Sequence, residues 1–402
     1  MWRWAFDRFL TALMVTDQLT VRFPDGSTRN YGPNTGQHAT IHISDDATVS
    51  ALCVNPLLAL GEAYVDQRLS LPDSDLEGLL KLLCRNRLAS EWPTWLRAVK
   101  RVQYHKRLFL QRNAPYRAKA NVALHYDISD EFYAMFLDED MQYSCGYFVE
   151  LDTALDVAQC AKKTHIARKL LLEPGMSVLD IGCGWGGMAL TLARDYGARV
   201  TGITLSENQL ATARQRAKDE GLSDQVTFRL QDYRHTKGVF DRVVSVGMLE
   251  HVGVPNYDAY FDCLSNLLAP NGIALIHTIG RSGPPTSHDP WLHKYIFPGG
   301  YVPSLSELLP SMERSGLWQT DIEVWRLHYA LTLRHWRERF LAHEEEILRM
   351  YDARFVRMFY YYLTVCIIAF EDQMHGVYQI QLAHQRDAVP LTREYLYAQS
   401  VV

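Results

Sequence analysis

The residues whose spacing most resembles a chemical device are the glycines of Gly182-Cys183-Gly184-Trp185-Gly186-Gly187, entered from the apolar run Ser177-Val178-Leu179-Asp180-Ile181. A buried strand, a tight glycine turn and a helix opening near Met188 would aim backbone N–H groups and a helix N-terminus at a nucleotide-like ligand. By itself the G-x-G-x-x-G spacing of Gly182, Gly184 and Gly187 says no more than that. The strand expected next, Arg199–Ile203, narrows the ligand. A dinucleotide fold sets an acidic residue about twenty positions after the glycines to hold a ribose hydroxyl. Here Thr204-Leu205-Ser206 stands at that point. The pattern disfavours NAD and favours S-adenosylmethionine (SAM).

The elements that must position this turn follow from periodicity. Strands are expected at Ser177–Ile181, Arg199–Ile203, Val226–Leu230, Asp241–Val246 and Ile273–Ile279, separated by helical segments. That alternation predicts a parallel sheet with helices on both faces and ligands at the carboxyl ends of its strands. Glu250 follows the fourth strand, and His277 shares a face of the fifth with Ile279. Ser304-Leu305-Ser306-Glu307 fits a capping box, and a long aromatic-rich helical run is expected from Leu331 onward. Ahead of this unit, Leu19–Phe23 and Thr28–Tyr31 read as a hairpin, Ala39–Ile43 as a strand, and Pro56–Tyr64 and Asp75–Cys84 as helices.

At 402 residues the chain is long enough for two domains, and 48% hydrophobic with 22% charged residues is the composition of a folded protein. A net charge of −5 argues against a nucleic-acid partner. One stretch breaks the acidic balance. Between Trp95 and Tyr126 there is no Asp or Glu, while Arg97, Lys100, Arg101, Lys106, Arg107, Arg112, Arg117 and Lys119 alternate with aromatic residues. Such a stretch reads either as a patch for phospholipid head groups or as a solvated helix face with a basic linker. Seven scattered cysteines without a C-x-x-C pair suit free thiols in a reducing cytoplasm, and no zinc motif occurs. Asp7 and Arg8 interrupt the amino terminus, so no signal peptide is expected there. The most apolar segment, Phe355–Phe370, contains Arg357 and reads as too short and too polar to cross a bilayer.

Beyond these general features, longer motifs resemble one family. They are His125-Tyr126-Asp127, Tyr143-Ser144-Cys145-Gly146-Tyr147-Phe148, Leu179–Gly187, Gly202–Ser206 with Gln209, Gly247-Met248-Leu249-Glu250-His251-Val252-Gly253, His277-Thr278-Ile279-Gly280, Phe297–Ser304, His328-Tyr329-Ala330 and Arg357–Leu363. The chain resembles the cyclopropane-fatty-acyl-phospholipid synthases, SAM-dependent lipid methyltransferases, over essentially all of residues 121–402. The glycine turn is common to methyltransferases, whereas Tyr143-Ser144-Cys145 and Glu250-His251-Val252 are far more specific. The resemblance implies an α/β, Rossmann-like class I SAM-dependent methyltransferase domain with a helical lid, preceded by a smaller α+β N-terminal domain. The corresponding partition is 1–105, a basic linker at 106–120, and a catalytic domain at 121–402.

The resemblance also implies roles. Tyr143, Ser144, Asp180, Gly182, Gly184, Gly187, Thr204, Leu205, Gln209, Asp232 and Tyr233 would meet the cofactor. Cys145, Glu250, His277 and Tyr329, with the main chain at Ile279, would hold a bicarbonate ion acting as base, and Tyr126 would face a cationic intermediate. The implied reaction adds a methylene from SAM across a cis double bond of a phospholipid acyl chain, at the inner face of the membrane, by a peripheral and dimer-forming cytoplasmic enzyme. By residue type alone duller roles remain open. Cys145 would serve as a small buried side chain, His277 and Tyr329 as satisfied core residues, Tyr143 as a packed aromatic, and Thr204 and Gln209 as helix-capping groups. Two neighbouring reactions stay in view: methylation that leaves a branched, unsaturated chain, and N-methylation of a small amine.

Overall fold

The computed structural model describes residues 1–90 and 128–397. They pack as two compact units that are not contiguous in sequence. The first gathers residues 1–90 with Thr286–Pro298 and Trp336–Met374, and the second gathers residues 128–285, Gly299–His335 and 375–397. The two later segments of the first unit thus lie inside the range 121–402 that the sequence assigns to the catalytic domain. The basic stretch 95–126, the linker and Tyr126 lie outside the described residues.

Residues 1–90 form α1 (Trp2–Leu13), β1 (Gln18–Arg22), β2 (Thr28–Tyr31), β3 (His38–Ile43), α2 (Asp46–Val54), α3 (Pro56–Val65), β4 (Leu69–Ser70) and α4 (Leu76–Ala89). The strands lie in the order β2-β1-β3-β4, with the expected hairpin paired Leu19↔Tyr31 to Arg22↔Thr28. Phe6 and Leu10, one helical turn apart on α1, close over Leu19, Val21, Ile41 and Ile43 in one buried cluster. Fully buried Asn86 ties the core together: its Oδ1 accepts from the backbone N–H groups of Val15, Thr16 and Asp17, and its Nδ2 donates to Asp17 and Leu82.

The rest of the chain runs α5 (Asp130–Phe136), α6 (Leu155–Lys169), β5 (Ser177–Ile181), α7 (Gly187–Tyr196), β6 (Arg199–Thr204), α8 (Glu207–Asp219), β7 (Val226–Leu230), β8 (Phe240–Val246), α9 (Tyr257–Leu267), β9 (Leu268–Arg281), α10 (Pro290–Tyr295), α11 (Leu305–Arg314), β10 (Trp318–Trp325), α12 (His328–Ala342), α13 (Glu344–Met350), α14 (Ala353–Glu371) and β11 (His375–Ala383). The five expected strands are present, and the sheet order is β10-β11-β9-β8-β5-β6-β7. Strands β5 to β9 pair in parallel, but the expectation of an all-parallel sheet fails at one edge. There β11 pairs antiparallel to β9 and β10 antiparallel to β11. The helical run expected from Leu331 likewise ends at Glu371, and β11 follows. Ser304 and Glu307 form the expected capping box, with the Ser304 N–H donating to Glu307 Oε2 at 3.1 Å.

Helices α10 and α14 belong to the first unit. Trp291 of α10 stacks edge-on against Tyr361 of α14 at 4.5 Å, and Gly61 leaves room for the indole. Helix α14 is, by length and composition alone, long and apolar enough to cross a membrane, which corrects the expectation drawn from its length. Half of that stretch is buried inside the protein, and Arg357 within it donates to the Val65 carbonyl at 2.7 Å.

Candidate active site

The glycine turn lies at the carboxyl end of β5, where the parallel sheet predicts a ligand. Gly182, Gly184 and Gly186 all have φ in the left-handed region, which an L side chain rarely adopts. The Gly182 and Cys183 N–H groups donate to the Ile203 carbonyl, pinning the turn to β6. Gly187 begins α7, and a methyl group added there would collide with Asp140 Oδ2 and Gln142 Nε2. The turn therefore packs directly beneath the segment carrying Tyr143 and Ser144.

Helix α6 holds that segment from the other side. Gln159 Nε2 donates to the Ser144 carbonyl at 2.9 Å, and fully buried Lys162 donates to Ser144 Oγ at 2.8 Å and Gln142 Oε1 at 2.7 Å. Lys163 and Arg216 both pair with Asp140. Burial lowers the Lys162 pKa to about 8 against the pull of Asp138. Sequence reasoning missed Lys162, Gln159 and Gln142, because a lysine in a helix of mixed polarity reads as solvent-facing. The only available signal was the three-residue spacing of Gln159 and Lys162 along α6.

Other expected cofactor residues cluster at the ends of β5, β6 and β7. Asp180 is buried, its Oδ2 finds no partner among the described residues, and burial raises its pKa to about 7. Thr204 Oγ1 donates to Gln209 Oε1 at 3.0 Å, and Ser206 caps α8 by accepting from the Gln209 N–H at 3.3 Å. The capping role falls on Ser206 rather than on Thr204 or Gln209. Leu205 is half-buried between them. Asp232 is engaged by Arg234, whose guanidinium also lies over the Tyr233 ring, and Tyr233 meets Tyr260 edge-on at 5.4 Å. Tyr143 packs against Tyr133 at 5.2 Å, and Tyr133 against Trp185 of the turn at 5.1 Å.

Of the expected ion-binding residues, Glu250 follows β8, His277 and Ile279 lie near the end of β9, Cys145 lies on the segment before α6, and Tyr329 is in the first turn of α12. Glu250 Oε1 accepts from the Ile279 N–H at 2.6 Å, and its Oε2 is buried without a partner among the described residues. Burial raises the Glu250 pKa to about 7, against the bond from Ile279. His277 is 2% exposed, and burial, with Lys162 and Lys169 adding to it, drives its pKa well below the ordinary value. Its ring meets Trp325 edge-on at 5.1 Å, and its Nδ1 lies 3.2 Å from Gln379 Nε2. Cys145 has no exposure, and burial pushes its thiol pKa far up. The next N–H, that of Gly146, donates at 3.0 Å to Thr332 Oγ1, one turn beyond Tyr329 on α12. Tyr147 then stacks on His328 and meets Trp325, which in turn meets His277, so the segment after Cys145 is linked to His277 through one set of aromatic contacts.

Chemically, these are buried groups pushed toward their uncharged forms: a thiol, an imidazole and a carboxyl whose pKa is raised to about 7. A region so built presents hydrogen-bond donors and withholds negative charge, which suits a small buried anion.

Comparisons with known proteins agree with this architecture. Residues 113–380 match the family described as mycolic acid cyclopropane synthetase, and residues 6–89 match a domain of unknown function. The cyclopropane-fatty-acyl-phospholipid synthase of Escherichia coli (strain K12) is 41% identical over 323 residues, covering 80% of this chain and 82% of that one. A probable fatty acid methyltransferase of Pseudomonas putida is 36% identical over 390 residues, 94% of this chain and 96% of that one. Among solved structures, mycolic acid cyclopropane synthase CmaA1 complexed with SAH and CTAB is 33% identical, with a TM-score of 0.63 over 66% of this chain and 97% of that one. Coclaurine N-methyltransferase, 21% identical with a TM-score of 0.65 over 82% of this chain and 99% of that one, shares the fold. The chain is a SAM-dependent methyltransferase and belongs to the mycolic acid cyclopropane synthetase family.

Proposed function

We propose that the protein adds a methylene group from SAM across the cis double bond of an unsaturated phospholipid acyl chain, forming a cyclopropane ring. SAM, when bound, supplies an electrophilic methyl group. The double bond would attack that methyl as its bond to the sulfonium sulfur breaks and S-adenosylhomocysteine leaves, a carbocation would form on the acyl chain, and loss of a proton from the added methyl to a base would close the ring. Tyr143, Ser144 and the Gly182–Gly187 turn would hold the cofactor, and buried, partnerless Asp180 Oδ2 fits its need for an acceptor at the end of β5. Aromatic rings around the site would keep the cation from water.

The observation that carries the reading is the environment of Glu250. One oxygen takes the Ile279 N–H, the other has no partner among the described residues, and burial favours a neutral His277 and a protonated Cys145. That set fits a bicarbonate ion held by Cys145, Glu250, His277, Ile279 and Tyr329, and such an ion would supply the base the ring closure needs. Replacing Glu250→Gln should lower alkylation by a factor of roughly 100 or more while SAM binding, measured by calorimetry, persists. The assay is incubation with SAM and unsaturated phospholipid vesicles, with the upfield cyclopropane protons read by NMR. Activity indifferent to removal and return of bicarbonate would defeat the ion's role.

A second reading ends at a methyl-branched chain. It is favoured by the Pseudomonas putida relative, whose match spans nearly the whole chain. Both products gain the same mass, so the NMR signal decides. Docking at the inner face of the membrane would draw on the basic stretch, and neutralising Lys100, Arg101, Lys106 and Arg107 together should weaken binding to anionic vesicles, most at low salt.

A further inference from the structure

The reading above gives His277 a donor's task, and a neutral imidazole can donate from only one of its two nitrogens. We infer that Gln379 is the positioning residue that keeps the His277 proton on Nε2, an inference that rests on the proposed anion-binding role of His277. Gln379 on β11 stands directly opposite His277 on β9 in the antiparallel register. Both are buried, Gln379 completely, so water does not compete for either. The Gln379 amide nitrogen lies 3.2 Å from His277 Nδ1. An amide N–H donating there makes Nδ1 the acceptor and leaves the ring proton on Nε2.

The opposite orientation of the amide is poorer. As placed, Gln379 Oε1 and the second amide N–H have no partner among the described residues. Turned over, Oε1 would accept from Nδ1–H, and the amide NH2 would take the position where no partner stands. One unmet acceptor and one unmet N–H would then be exchanged for two unmet buried N–H groups, and an orphaned buried N–H is the rarer of the two in folded proteins. The ring itself has little freedom to adapt. The Gly247 N–H donates to the His277 carbonyl at 2.8 Å, and the Trp325 edge contact fixes the plane of the imidazole. Neither His277 nor Gln379 would have been paired from sequence, since the partnership exists only through the antiparallel register of β11.

The test uses the full chain labelled with nitrogen-15 in its histidines, with long-range proton–nitrogen spectra reporting which imidazole nitrogen carries hydrogen. The His277 signal is identified by its loss in His277→Asn. The wild-type protein should show Nε2 protonated and Nδ1 as an acceptor. Gln379→Glu presents only acceptors, and should move the proton to Nδ1 or charge the ring, lowering kcat roughly tenfold or more while KM for SAM changes by less than about twofold. Gln379→Met, close in size but without a donor, should leave both tautomers populated. A wild-type proton on Nδ1 overturns the inference, as does a Gln379→Glu protein with unchanged tautomer and kcat. If that variant does not fold, the wild-type and Gln379→Met spectra still decide. The spectra need no turnover, so a wild-type protein that fails to alkylate lipid defeats the proposed function without touching the tautomer result.

Discussion

On the β7-β6-β5-β8 side of the sheet, α7 and α8 press Leu190, Leu192, Ala213 and Ala217 into one apolar cluster with Val178, Val200, Val226 and Val244. On the β9-β11-β10 side, α6 buries polar groups instead. Lys169 Nζ donates to Glu323 Oε2 at 2.6 Å, His165 meets the same carboxylate at 2.8 Å, and Gln381 donates to the Lys169 carbonyl at 2.6 Å. Lys162, His165 and Lys169 recur at helical spacing, so one face of α6 delivers all three. The contrast separates two jobs. Apolar burial supplies non-directional stability and tolerates small shifts. A buried polar seam is stable only when every partner is in place, so it fixes where β10 and β11 lie, and with them Trp325 and Gln379 beside His277.

The sharpest way to break this comparison is to cut one residue from each side. Lys169→Met should cost about 3–5 kcal/mol, because it leaves Glu323 and Asp321 without their buried cation. Leu192→Ala, fully buried on the apolar side, should cost about 3 kcal/mol through transfer and cavity terms. Acid separates them. Burial alone would raise the Glu323 carboxyl, yet the bond to His165 and the Lys169 charge outweigh it and hold it well below the ordinary value of 4.5. Its stabilising contribution is therefore complete above that value and is lost as pH falls. The penalty of Lys169→Met should shrink below about pH 4.5, whereas that of Leu192→Ala should not. Denaturant titrations across that range check both.

The same division governs what could be read in advance. The apolar side was legible: Val, Ile and Leu runs bounded by glycine turns gave its four strands close to their observed limits, whereas β9 starts five residues before the expected Ile273, and the Ser304–Glu307 box is where its spacing put it. The polar edge was not. In β11 Val377, Gln379 and Gln381 alternate with Tyr378, Ile380 and Leu382, a period-two signal that was present but masked by the helical run before it. Helix α6 offered only a broken apolar stripe, since its buried residues mix Leu155, Ala158, Ile166 and Ala167 with Gln159, Lys162, Lys163, His165 and Lys169. Glu250, His277 and Cys145 could be named as candidates because their motifs are specific; Gln379, Lys162 and Thr332 act through contacts that only the folded register creates.

Next in size is the pH dependence around the site, which should carry the opposite sign from the polar edge. Glu250 and Asp180 both have pKa values raised to about 7, burial being the cause in each. A carboxyl with a raised folded-state value contributes stability that is full below its unfolded value and lost as pH rises through the folded one. Between pH 4.5 and 8, Glu250 alone should remove roughly 3 kcal/mol from the wild type, and Glu250→Gln should abolish that share of the decline. Thermal melts of the two proteins in ligand-free buffers would show the curves converging toward acid and separating toward alkali. Parallel curves would sink the assignment of a carboxyl whose pKa burial raises.

The smallest effect tests the junction between the two sides, where the glycine turn meets the segment that α6 holds. Gly187 begins α7, so alanine there meets no backbone penalty and, on helix propensity, should stabilise by about 1 kcal/mol. The packing predicts the reverse sign. The added methyl would meet Asp140 Oδ2 and Gln142 Nε2. Asp140 cannot withdraw, because Lys163 and Arg216 both hold it and Arg216 is itself anchored on the Trp185 carbonyl at 3.1 Å. Gly187→Ala should therefore cost about 1–2 kcal/mol, as overpacking does, and should weaken SAM binding by displacing Gln142 and, with it, Tyr143 and Ser144. Shortening the neighbour in Gly187→Ala/Gln142→Ala should recover part of the stability but not the SAM affinity, because Lys162 then loses an acceptor that helps hold the segment. Calorimetric titration of SAM into both variants separates the two losses, and a stabilised Gly187→Ala protein would mean the turn and the α6 side are not packed together as described.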